Sequence, residues 1–63
     1  MKTFYGVVSK FFDSGKVAAE IVEHVGSTIP DNSYDEGVVC DTYTDWFKSY
    51  REAEQYKHET MLA

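Results

Sequence analysis

The sequence predicts an α+β domain, in which a three-stranded antiparallel sheet (a β-hairpin plus a third strand) is packed by one C-terminal helix. Three observations carry this reading. Two runs rich in β-branched and aromatic residues, Thr3 to Phe12 and Lys16 to Val25, flank Asp13-Ser14-Gly15; a similar run spans Val38 to Phe47; and Ser49-Tyr50-Arg51-Glu52 has capping-box spacing. At 63 residues the chain has room for one core, so residues 1–63 are expected to form a single small domain. A chain this short hides only about 60% of its unfolded surface, and ten aromatic residues are the apolar groups available to fill it.

The hairpin rests on turn chemistry. Gly15 tolerates positive φ, and Asp13 and Ser14 bond readily to nearby backbone. A two-residue Ser14-Gly15 loop sets Phe12 opposite Val17, Val8 opposite Ile21 and Phe4 opposite Val25, and gathers Phe4, Val8, Phe12, Val17, Ala19, Ile21 and Val25 on one face as the core. A three-residue loop with Gly15 in a bulge shifts the pairing by one and matches Val7 with Ile21; the turn residues allow both. Gly26 to Gly37, with Pro30 and a run of Asp, Asn and Ser, reads as a surface loop long enough to bind something. The third strand places Val38, Cys40, Thr42, Thr44 and Trp46 on one side and Val39, Asp41, Tyr43, Asp45 and Phe47 on the other. The helix is expected from Tyr50 to about Met61, with Tyr50, Ala53, Tyr56 and Thr60 toward the sheet.

One helix of that length, about 18 Å at 1.5 Å per residue, covers one face of a three-stranded sheet and no more. In the two-residue-loop register the opposite face carries Tyr5, Val7, Phe11 and Val22, with His24 at its edge. An apolar face of this kind marks an interface, so these five residues are the expected docking surface for a second copy, as a homodimer, or for another protein. The competing expectation is that loop 26–37 folds back and covers the face with Ile29 and Tyr34.

Charge and chemistry narrow the function classes. The net charge is −5, and Lys2, Lys10, Lys16, Lys48, Arg51 and Lys57 are dispersed, which disfavours binding to a phosphate backbone. The same argument disfavours base stacking on Tyr5 and Phe11, because Glu20, Asp41 and Asp45 surround them where RNA-binding sheets place Lys and Arg. The acidity serves solubility first. A second reading joins Asp41 and Asp45 with Glu52, Glu54 and Glu59 into an acidic surface that imitates nucleic acid toward a basic protein.

No catalytic constellation is recognisable. Cys40 with His24 or His58 is the sole thiol–imidazole possibility, and a lone cysteine in an apolar strand is more often a small buried hydrophobe. Glu54 and His58 at i and i+4 read as a surface pair, and Asp31 to Gly37 lacks the glycine and closing acid of an EF-hand, so no cofactor or metal is expected. With one cysteine and an N-terminal apolar run too brief for a signal core or a membrane span, the expected location is the cytoplasm, away from any membrane.

The segment Cys40-Asp41-Thr42-Tyr43-Thr44-Asp45-Trp46-Phe47-Lys48-Ser49-Tyr50-Arg51-Glu52-Ala53 resembles the end of short uncharacterised proteins encoded in gut-bacterial genomes and their mobile elements. The resemblance covers the strand-to-helix half together with the Asp-Ser-Gly hairpin before it. It implies a strand leading into a capped helix, and carries no activity and no functional residue.

Overall fold

The computed structural model describes residues 1–62. Its elements are β1 (Lys2–Phe12), β2 (Val17–Gly26), β3 (Ser33–Glu36), β4 (Cys40–Phe47) and α1 (Tyr50–Leu62). The chain is α+β, with the single helix packed on an antiparallel sheet, but the sheet has four strands in the order β2-β1-β4-β3 rather than three. The extra strand lies inside the segment expected to be a loop. Its pairing with β4 sets Tyr34 opposite Tyr43, with ring centroids 4.6 Å apart. Just before it, the Asn32 Oδ1 accepts the Trp46 N–H at 2.8 Å, so a side chain continues the ladder where the strand has ended.

The hairpin adopts the second of the two registers. Phe12 N–H donates to the Lys16 carbonyl at 2.8 Å and Gly15 N–H to the Phe12 carbonyl at 2.9 Å, which closes a three-residue loop with Gly15 at φ 90°. Val7 therefore faces Ile21 and Phe11 faces Val17, one residue away from the two-residue-loop pairing. Because side chains alternate with period two, this slip exchanges the entire β1 partner set of β2. Tyr5, Val7, Ser9 and Phe11 share a face with Val17, Ala19 and Ile21, while Phe4, Val8 and Phe12 share the other with Ala18, Val22 and His24.

The helix lies on the first of these faces. The Tyr50 ring meets Tyr5 edge-on at 5.6 Å, and Tyr56 packs on Phe47, which is the β4 partner of Tyr5. Ala53 and Val7 are both fully enclosed, as the close approach of a small helical residue to a strand requires. The N-terminus is capped by Ser49. Its Oγ accepts the Glu52 N–H at 3.2 Å and its O–H donates to Glu52 Oε1 at 3.1 Å, while Ala53 N–H starts the helical ladder on the Ser49 carbonyl.

On the opposite face no helix packs. There the Trp46 ring lies across Gly6, and a Cβ placed on Gly6 would come within 2.9 Å of it. The His24 ring meets Trp46 edge-on at 5.9 Å, and the 27–29 segment lies beside Phe4, which is 5% exposed. The fold is flat and lightly cored. Its Cα radius of gyration is 12.1 Å, against about 10 to 11 Å for a compact domain of this length, and its extents are 39 × 22 × 12 Å. Accessible surface is 4615 Å², where about 4,100 Å² is ordinary for this mass.

Candidate interaction surface

The helix sits off-centre. It rests on β1 and β2, touches β4 less, and among the described residues makes no contact with β3. The β3–β4 end of its own sheet face is therefore left open. On that open end the register gathers Phe11, Asp41, Tyr43, Tyr34 and Glu36: Phe11 faces Asp41 across β1–β4, Tyr34 faces Tyr43 and Glu36 faces Asp41 across β3–β4. The Phe11 and Tyr43 rings meet at 5.6 Å with planes 83° apart, and with Asp41 and Tyr56 they line an open hollow of about 290 Å³.

The turn that joins β3 to β4 adds apolar surface beside this hollow. Val38 is 93% and Val39 66% exposed, and the Val39 carbonyl is tied down by the Asp13 N–H at 3.1 Å. Phe12, opposite Cys40, continues the patch onto the helix-free face, where Val8, Val22 and Trp46 are half-buried. Two valines held out on an anchored turn are the most exposed apolar side chains of the sheet.

The acidic groups act on the phenols. Burial first, then the neighbouring Asp41 and Glu36 carboxylates, push the Tyr34 hydroxyl above its ordinary pKa of 10.0. Tyr56 is likewise raised, by burial and then by its hydrogen bonding to Asp45 and that group's charge, with Thr60 acting the other way. Burial is the larger cause in both cases, and the carboxylates add to it because a negative neighbour opposes the phenolate anion.

The sequence-expected interface divides between two surfaces. Val7 is fully enclosed, Tyr5 lies against Tyr50, and Phe11 forms a wall of the hollow, all on the helix side. Val22 and His24 lie on the helix-free side, His24 against Trp46. These five residues do not form one face, because the three-residue loop sends the two strands' sets to opposite sides. The expected acidic surface also divides: Asp41 and Asp45 sit on the sheet among tyrosines, Glu52 is engaged in the cap, Glu54 borders a hollow shared with Arg51, Lys57 and His58, and Glu59 accepts from Gln55 at 3.5 Å. The residues that sequence reasoning missed as a group are Tyr34, Val38 and Val39, whose signal was a pair of adjacent valines after a glycine and a lone tyrosine in a polar run.

The chemical alternatives are not assembled. Cys40 pairs with Phe12 and His24 with Phe4, eight residues apart along β1, which is about 26 Å at 3.3 Å per residue. The Cys40 side chain is on the helix-free face, away from His58 on α1. Among the described residues no group of three or more His, Cys, Asp or Glu is placed to hold a metal ion, and no helix is long and apolar enough to cross a membrane. Ser9 Oγ is buried without a hydrogen-bond partner, beside Tyr43 in the register. Comparison with protein-family models, curated proteins and solved structures finds no match.

Proposed function

We propose that this chain is a small, non-enzymatic protein-interaction module of the cytoplasm, docking on a second copy or on another protein through the apolar sheet surface that its single helix leaves open. The observation that carries the proposal is the off-centre helix, which leaves Val38, Val39, Tyr34 and Tyr43 exposed on an anchored strand pair. Exposed apolar side chains scattered singly need no explanation, but two adjacent valines on an anchored turn, together with a stacked tyrosine pair on the strands it joins, are surface a partner stabilises by covering. The thin core supports the same reading: Phe4, Val7 and Ala53 are the buried apolar residues among those described.

Light scattering over a range of concentrations tests this and separates the partners. A mass that rises from 7.2 kDa toward twice that value, and falls back in a Val38→Ser/Val39→Ser variant, identifies the second copy as occupant. A mass constant at 7.2 kDa excludes the second copy as occupant. Self-association that is equally strong in the variant contradicts the surface named here. Both valines are exposed and Val39 is anchored through its backbone, so the variant is expected to keep its fold.

A further inference from the structure

We propose that the hollow between Phe11, Tyr43 and Tyr56 receives the guanidinium of an arginine side chain presented by a basic partner protein. This rests on the reading of the chain as an interaction module and names the chemistry of its partner.

The hollow has the two components that a delocalised cation requires. The first is aromatic walls at an angle: Phe11 and Tyr43 form a corner with ring planes 83° apart, and Tyr34 stacks against Tyr43 at 4.6 Å and 32°, bracing it from the neighbouring strand. The second is unneutralised negative charge. Asp41 lines the hollow, Glu36 is its directly opposed partner in the β3–β4 ladder, and no lysine or arginine is among the lining residues. Like charges directly opposite on neighbouring strands destabilise a sheet, so a cation beside this pair is favoured, in addition to the Tyr34 hydroxyl that Asp41 already accepts from. The rise in the Tyr34 pKa, to which both carboxylates contribute, agrees with a negative field at the same place.

The geometry selects guanidinium over ammonium. A guanidinium is planar, weakly hydrated, stacks on a ring face and offers paired N–H donors to carboxylate oxygens, whereas an ammonium is a strongly hydrated point charge. Charge selects the source. The chain carries −5, so a second copy is repelled where a basic protein is attracted. The hollow is also open to the 50% exposed Tyr34 and the 40% exposed Tyr43, and Val38 and Val39 follow on the adjoining turn, which gives residues flanking the arginine an apolar surface to rest on.

The test uses NMR titration of the full chain with acetyl-Gly-Leu-Arg-Leu-Gly-amide, with the same peptide carrying citrulline in place of arginine, and with acetyl-arginine amide alone. The arginine peptide is expected to shift the Tyr34 and Tyr43 ring signals saturably, at least tenfold more tightly than either comparison molecule. Asp41→Asn and Glu36→Gln, each close in shape to the native residue, are expected to weaken binding roughly tenfold at low salt while leaving the amide spectrum folded. Equal binding of the citrulline peptide, or unchanged affinity in folded Asp41→Asn protein, overturns the proposal. Equal binding of acetyl-arginine amide makes the hollow a small-molecule site and overturns the assignment to a partner protein. None of these failures alters the light-scattering result, so this inference and the interaction reading fail separately.

Discussion

Gly6→Val lowers the stability of the domain by about 1 kcal/mol and changes the emission of Trp46, the one tryptophan in the chain. Gly6 stands in β1, between β2 and β4, and the Trp46 ring occupies the space a side chain would take, with three ring atoms within 3.0 Å of the position a Cβ would fill. His24 meets the ring edge-on from β2, which opposes its swinging aside. Two effects oppose each other. Replacing glycine within a strand restores about 0.5 to 1 kcal/mol of backbone entropy, whereas forcing extra carbons into a filled site costs about 1 to 3 kcal/mol. Crowding outweighs the entropy gain, and a domain of this size holds only about 3 to 9 kcal/mol in total. Chemical denaturation followed by tryptophan fluorescence checks it; an unchanged midpoint with native emission contradicts the placement of Trp46 on Gly6.

Ala53→Glu abolishes cooperative folding, while Gln55→Glu, which adds the same charge two residues away on the exposed side, shifts stability by less than about 0.5 kcal/mol. Ala53 is fully enclosed on the sheet side of the helix, and an unpaired carboxylate there costs several kcal/mol, which the helix avoids by leaving the sheet. Once detached, a 13-residue helix is marginal in water. Circular dichroism of the pair of variants checks this, with a sigmoidal thermal transition expected in Gln55→Glu and absent in Ala53→Glu. A cooperative transition in Ala53→Glu would show that the helix does not depend on that contact.

Much of the fold could be read in the residues. Asp13-Ser14-Gly15 turns a hairpin, the run ending at Phe47 is a strand, and Ser49 caps a helix that starts at Tyr50. The register could not be read, because β2 is apolar on both sides: Val17, Ala19 and Ile21 on one, Ala18 and Val22 on the other. A strand without a polar face does not choose between two turns that differ by one residue. That single slip decided which β1 residues the helix covers, and so divided Tyr5, Val7 and Phe11 from Val22 and His24. Strand β3 was hidden for a different reason. Its four residues are all exposed, so burial leaves no alternating pattern, and it is held by β4 backbone, the Tyr34–Tyr43 contact and Asn32, none of which is local. Without β3 there is no Tyr34 beside Tyr43 and no Glu36 beside Asp41, so the hollow had no signature in the chain. The orphaned hydroxyl of Ser9 likewise belongs to packing that composition does not specify.

The open β3–β4 end is proposed as the seat of the partner, and photo-crosslinking in cells tests this most directly. Benzoylphenylalanine is placed at Val38 in one variant and at Gln55, exposed on the outer side of the helix, in another. The expected result is a discrete covalent adduct from position 38 and none from position 55. Adducts from position 55 alone, or none from position 38, would contradict a partner seated on that end of the sheet.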